Sequence, residues 1–322
     1  MLSFLFWRLL QSVGVLWVVY TLTFVLLMLA PGDPFIGEKK PPPSVREAIA
    51  KRYGLEFLAY SPERRAAMSR GEQLAAVTGA YVLYGGNLLR FDLGPTLAYE
   101  NWTVNDVIAS SLPVSVALGS FALLIALWLG VIAGTIGAVF KGKWPDMGLT
   151  VMTLFGVSLP TFVTGSLLIM LFAVYWPVLP SGGWGRVSQL ILPATTLALF
   201  FMAYIARLTR VSVLDVISAD FIRTARAKGL SPTRVVTHHV LRNATLPVLS
   251  YIGPAAATVL TGSFVVERLF AIPGLGTHFI AACLYPDLPL VLGAVMVYTA
   301  LVVAFNLLVD IAYAFVDPRI RL

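Results

Sequence analysis

Cysteine is nearly absent from this chain. Among 322 residues only Cys283 occurs, so no intrachain disulfide and no cysteine-based metal cluster can form. A small buried residue is the expected role for a single thiol of this kind. Charge is scarce as well, at 12% against 58% hydrophobic residues. Soluble domains carry roughly 25% charged residues, which excludes an ordinary globular domain. Histidine is limited to His238, His239 and His278. The first two are adjacent and point about 100° apart on a helix, so they are poorly placed to chelate one ion. No His-Glu-x-x-His and no Gly-x-Ser-x-Gly occurs, which removes zinc-hydrolase and nucleophile-elbow chemistry from consideration.

Long apolar runs are what the sequence has in place of charge. Six stretches read as membrane-spanning helices: 9–30, 112–140, 147–176, 190–208, 246–266 and 290–315. The first follows Arg8, and Pro31 directly follows Ala30 where cleavage of a leader would fall, so it reads as an uncleaved anchor. Pro113, Pro160, Pro193 and Pro254 lie in or at the ends of these spans, where neighbouring helices can re-satisfy the backbone. Gly130 and Gly134 form a small-xxx-small pair that permits close helix approach.

The expected fold class is therefore an all-α polytopic membrane protein. Its divisions are a first transmembrane helix (1–30), an extracytoplasmic insert (31–106), a five-helix core (107–316) with a cytoplasmic loop at 211–245, and a cytoplasmic tail (317–322). The insert carries too little apolar residue for a core of its own. Within it Ser44 with Glu47 makes a capping box, and Ser61-Pro62-Glu63 opens a further short helix.

Charge sets the orientation. Arg8, Lys141, Lys143, Arg207, Arg210, Arg223, Arg226, Lys228, Arg234, Arg242, Arg319 and Arg321 fall on one side, opposed there only by Asp146, Asp215, Asp220 and Asp317. The opposite loops and the long insert are balanced. The whole excess behind the net charge of +7 lies on one face, which is then cytoplasmic, with both termini.

Two features invite a functional reading and have plainer ones beside it. Gly137 to Lys143 matches most of the phosphate-cradling loop of ATPases, but Trp144 stands where a hydroxyl is needed and a membrane helix stands where a strand is needed. A tight hairpin between two spans explains it. Asp310, one turn after Asn306, is a carboxylate in the last span; it is either a substrate or proton site or a packing hydrogen bond near the cytoplasmic end. Ser158, Thr161 and Ser263 are polar groups on span faces, and helix packing accounts for them equally.

The most informative stretch is the basic interruption between the fourth and fifth spans. Residues 220–228 read as a short helix with Arg226 and Lys228 in its last turn, where cations favour the dipole. Gly229 fits the C′ position in left-handed backbone. Ser231 can cap a second helix with Pro232 at its first position. The result is two short helices joined by a glycine corner.

This corner resembles the coupling loop of ABC-importer inner-membrane permeases. The general pattern opens Glu-Ala-Ala, where this chain has Arg223, Thr224 and Ala225, and then places a glycine where Gly229 stands. The peptide-transport branch resembles Arg-Thr-Ala-Arg-Ala-Lys-Gly, which is residues 223–229 unchanged. Further similarity lies in Leu29-Ala30-Pro31-Gly32-Asp33-Pro34, Val104-Asn105-Asp106, Pro113-Val114-Ser115, Pro247-Val248-Leu249-Ser250-Tyr251, Gly253-Pro254-Ala255, Thr261-Gly262-Ser263 with Glu267, Pro273-Gly274-Leu275-Gly276, and Asp317-Pro318-Arg319-Ile320. The chain most resembles the B-type permease subunit of oligopeptide importers. It departs from that pattern over 57–87 and at Phe91, where the family usually has glycine.

The resemblance implies a type I importer permease: a transport subunit without its own ATPase site, forming half of a path for oligopeptides or dipeptides in a bacterial inner membrane. It implies a homologous second permease, two cytoplasmic ATPases that hydrolyse ATP with Mg, and an extracytoplasmic peptide-binding protein. No cofactor, metal or nucleic acid is expected on this chain. The ATPase-coupling residues would be Phe221, Arg223, Thr224, Ala225, Arg226, Lys228, Gly229 and Arg234, with Phe221, Ile222 and Ala225 as an apolar face. Relatives in the same family handle nickel, glutathione or opine-like solutes. A stand-alone carrier or channel would show ionisable residues deep in several spans and internal repeats, and an intramembrane enzyme paired catalytic groups; neither pattern stands out.

Overall fold

The computed structural model describes residues 2–29, 50, 67–96, 99, 102–261, 263–284 and 287–316. The capping box expected at Ser44, the short-helix start expected at Ser61 and the tail motif at Asp317 lie outside these residues. The described residues are helical, and strand-like pairing among them is limited to one isolated bridge between Pro95 and Thr103. Four helices are long and apolar enough to cross a membrane: Phe6–Leu29, Val104–Val139, Val187–Ile217 and Leu288–Leu308. A fifth crossing results if the bent pair Trp144–Ser158 and Thr161–Tyr175 counts as one.

The chain divides into two compact units. One comprises 1–113 and 274–301, the other 114–273 and 302–322.

In the first unit, α1 (Leu2–Leu29) and α2 (Arg70–Leu89) share an aromatic core. Tyr20, Phe24, Ala80 and Tyr84 are buried together with Leu288 and Leu292. Tyr20 Oη donates to the Tyr81 carbonyl at 2.6 Å, and the two rings lie 4.9 Å apart. So α2 does not stand on a core of its own. Its start is set locally by a capping box: Glu72 N donates to Ser69 Oγ, and Ser69 N donates to Glu72 Oε2. The Ser69 N–H first, and then the Ser69 hydroxyl, bind the Glu72 carboxylate and hold it below its ordinary pKa. Past α2 the backbone turns through Phe91 at φ +58°, the left-handed region that glycine would occupy without strain. Asn105 spans this turn, donating to the Phe91 carbonyl and accepting from Leu93 N. Asp287 caps the last long helix by accepting from Leu290 N, and it is buried against Thr96 Oγ1. Cys283 is exposed, which corrects the expectation of a buried thiol. Its neighbour Ala282 takes the inward position on that helix (Leu275–Leu284), leaving Cys283 about 100° round the axis.

In the second unit the central element is α6 (Val187–Ile217). On the way to it run α3 (Val104–Val139, whose first turns belong to the first unit), α4 (Trp144–Ser158) and α5 (Thr161–Ile169), which continues as a wider π turn over Met170–Tyr175. The small-xxx-small pair is used within the chain. A Cβ on Gly130 would meet Ile205, and one on Gly134 would fall on the Ala206 carbonyl oxygen. Those two glycines let α3 and α6 approach backbone to backbone. Pro193 lies inside α6 without ending it.

Pro160 behaves otherwise. The third expected span, 147–176, is interrupted at Leu159 and Pro160, and α4 and α5 meet at 110°. Pro160 has no N–H to extend the ladder, and the residue before it is pushed to extended backbone, here ψ 131° at Leu159.

Candidate coupling site

The basic interruption is built on the end of α6. After Ser218 the chain enters α7 (Asp220–Ala227) through Ala219, which offers no side-chain cap. Asp220 in the first turn and Arg226 in the last are the favourable pattern for the dipole. Their helix is eight residues long, too short to persist alone in water. It is held by burial: Ile222 (0% exposed) and Ala225 (7%) sit in a core with Ala138 of α3, Val213 of α6, and Val235, Val240 and Ala244 further on.

That placement revises the expected apolar face. Ile222 and Ala225 point into the chain's own core, because residues three apart share one side of a helix. Phe221, 48% exposed, is the apolar group left on the surface. Arg223, Thr224, Arg226 and Lys228 are exposed around it. The Arg223–Asp220 contact at 3.5 Å is fully in solvent and neutralises little.

The corner follows the expected chemistry. Lys228 is the C-cap, its N–H returning to the Thr224 carbonyl at 3.1 Å. Gly229 has φ +76°, and no atom stands within 4 Å of where its Cβ would be. Glycine is therefore required here by backbone conformation, and crowding plays no part. Beyond it Ser231 occupies the N-cap and Pro232 the first position of α8 (Pro232–Arg234). The Ser231 hydroxyl makes no cap bond; the turn is closed by Val235 N donating to the Ser231 carbonyl at 3.0 Å. The second helix is also not plain α. After α8 it widens into a π turn over Val235–Val240 and then resumes as α9 (Leu241–Ala244). The π turn places Val235 and Val240 both inward, and it carries His238 and His239. Nothing in the local residue types announces that turn.

The loop just before α4 completes the site's surroundings. Gly137 lies inside α3, with Leu149 where its Cβ would go, so no phosphate-binding loop follows a strand here. Lys143 N donates to the Phe140 carbonyl, and Gly142 turns at φ +75°. Gly142 N and the Arg210 guanidinium both bind Asp146; Arg210 does so through two bonds, of 2.5 and 2.8 Å. This bidentate pair joins residues 64 apart and ties α4 to α6. Sequence reasoning counted both residues only as charges, since nothing local couples them. Ser263, read as a polar face residue, is instead fully buried and donates to Glu267 at 2.5 Å; Glu267, counted among loop charges, is buried too.

The exposed basic elbow is clamped by its own small core onto the ends of two apolar helices. Residues 126–322 match the family described as "Binding-protein-dependent transport system inner membrane component", and the chain belongs to that family. It is thus a permease component of an ABC-type import system in a bacterial inner membrane, working in a complex with other subunits. Its task is transport and not nucleotide hydrolysis. Among similar proteins, the oligopeptide transport system permease protein OppB of Haemophilus influenzae is 41% identical over the full length of both chains. The protein of the same name from Escherichia coli K12 is 40% identical, again over both full lengths. The dipeptide transport system permease protein DppB of Bacillus subtilis is 37% identical over 95% of this chain and 93% of its own.

Proposed function

We propose that this chain is the B-type permease of an ATP-driven peptide importer. It forms half of the translocation path, with a homologous permease as the other half. Two cytoplasmic ATPases bind below it and an extracytoplasmic peptide-binding protein above. The chain binds no cofactor; ATP and Mg belong to the ATPase subunits. Six crossings place both termini in the cytoplasm, with the bent pair as one crossing and Leu246–Thr261 with Phe264–Leu269 as another. Oligopeptides are the favoured substrate, on the names of relatives that match end to end.

The observation that carries the reading is the elbow. Phe221, Arg223, Arg226, Lys228 and Arg234 are exposed on the elbow, while Ile222 and Ala225 lock its inner side to α3 and α6. An ATPase groove that seats Phe221 among acidic groups would move the elbow as one piece. Because the corner is closed by Gly229 and backed by a core, the movement passes to α6 and to Leu246–Thr261. Two arrangements of the permease pair, inward-open and outward-open, would be exchanged in this way. The test is co-purification of the tagged chain with an ATPase, followed by ATP-dependent uptake of a labelled oligopeptide by the reconstituted complex. Uptake without any nucleotide-hydrolysing partner would overturn the reading.

A further inference from the structure

The break at Pro160 lies at one end of a groove of about 370 Å³ on the second unit. Its walls come from α4 and α6. On α4, Leu149, Leu154 and Val157 line it with Thr150, Thr153 and Ser158, and the Thr150 and Thr153 hydroxyls donate to the Asp146 and Thr150 carbonyls of their own helix. On α6, Arg207 and Arg210 close the other end. Arg210 is held by Asp146. Arg207, one turn earlier, is exposed and has no side-chain partner among the described residues.

Three physical points converge here. Non-helical backbone at membrane depth persists only where protein buries it or water reaches it. Ser158 and Pro160 are exposed on this chain, so the break needs one or the other. Arg207 stands toward the cytoplasmic end of its candidate span, where a guanidinium turns to water or a bundle interior and away from hydrocarbon. The groove sets apolar walls from Leu149, Leu154 and Val157 beside hydroxyls and two guanidinium groups, a mixture that suits a solute with a charged end and variable side chains.

We infer that this groove is the cytoplasmic half of the substrate path on this subunit, and that Arg207 pairs with the carboxylate of the passing solute. This rests on the reading of the chain as half of a peptide path. It adds the wall, the chemical group recognised and the residue that recognises it. The pairing is charge-assisted and forms at the end of the path nearest the cytoplasm, so it draws the free carboxylate end of a peptide inward while the mixed apolar and hydroxyl walls tolerate any side chain.

Cysteine scarcity makes the test direct. Cys283→Ala leaves a thiol-free chain, which is reconstituted as the full complex with its companion permease, ATPases and binding protein. Thr153→Cys and Ser158→Cys are then exposed on the cytoplasmic side to a charged, water-soluble methanethiosulfonate. Both should react. Inertness at both positions, as expected if lipid or the second permease fills the groove, overturns the proposal. Arg207→Cys should lower uptake of a free-acid tripeptide about tenfold, as expected for loss of one charge-assisted pair. A trimethylammonium-bearing methanethiosulfonate should restore it and a sulfonate-bearing one should not. Arg207→Lys should keep most of the uptake, which guards against a folding defect. Undiminished uptake in Arg207→Cys, or equal rescue by both reagents, overturns the carboxylate pairing. If the parent complex binds its ATPases but takes up no peptide, the peptide-importer reading fails, and the labelling still decides separately whether the groove is hydrated.

Discussion

The corner at Gly229 and the break at Pro160 each end one helix and begin another within a few residues, by opposite means. At Gly229 the hydrogen-bond ladder continues to the corner, and the turn is a matter of one left-handed residue. At Pro160 a donor is missing and the preceding residue is extended. What surrounds them differs more. The first is backed by Ile222, Ala225, Val235, Val240 and Ala244, so two short helices behave as one body. The second is flanked by Phe155 and Phe162, both more than half exposed. A corner with its own core can carry a push, whereas a corner with open flanks takes its stiffness from whatever covers it.

Breaking the first corner should have the largest effect. Gly229→Val, or Gly229→Pro, should abolish ATP-driven uptake in proteoliposomes while the protein still inserts, because a non-glycine residue in left-handed backbone costs about 1–2 kcal/mol and the elbow reopens. Gly229→Asn, which tolerates that conformation, should retain much of the uptake. Equal activity of the valine and asparagine variants would show that the corner's angle is unimportant. Pro160→Ala should reduce uptake less than Gly229→Val does, and a greater loss would reverse the comparison.

The elbow's inner and outer sides separate next. Ile222→Ala should destabilise the second unit by about 2–4 kcal/mol, read by thermal unfolding in detergent. Phe221→Ala should change stability by less than about 0.5 kcal/mol and yet weaken retention of the ATPase. The same loss of stability in both variants would deny that the helix has two distinct faces. Asp146→Asn, which leaves Arg210 half-buried and short of its charged partner, should cost about 1–3 kcal/mol. Here the readout is thermal stability at constant salt.

The smallest effect belongs to the first unit. Bonds from Ser69 hold the Glu72 carboxyl below its ordinary pKa, so their contribution is present above the unfolded-state pKa and is lost as pH falls through the folded one. The start of α2 should therefore exchange its amide hydrogens faster in acid, and Glu72→Gln should remove most of that pH dependence. An unchanged pH profile in the variant would mean that the capping box contributes nothing.

Much of the site was legible because it depends on local backbone chemistry. A glycine after Lys228 and a proline after Ser231 place a corner wherever the chain is folded. What the residues around Phe221 face was less legible. Their types suit a partner's groove, and only the inward turn of Ile222 and Ala225 shows that a nearer core claims them. Proline gave the least guidance. Pro193 sits within an unbroken helix while Pro160 ends one, because tolerance depends on whether neighbours meet the freed carbonyls.

Residue chemistry alone settled that this chain is helical and membrane-bound, where its cations lie and where its elbow turns, since hydropathy, charge and φ preference act over a few neighbouring residues. Tertiary structure decided which side of the elbow is core, that α3 and α6 meet on Gly130 and Gly134, that Asp146 answers Arg210 from 64 positions away, and that one apolar run is two helices at 110°. Those outcomes depend on which surfaces come together in space, and distance along the chain carries no record of that.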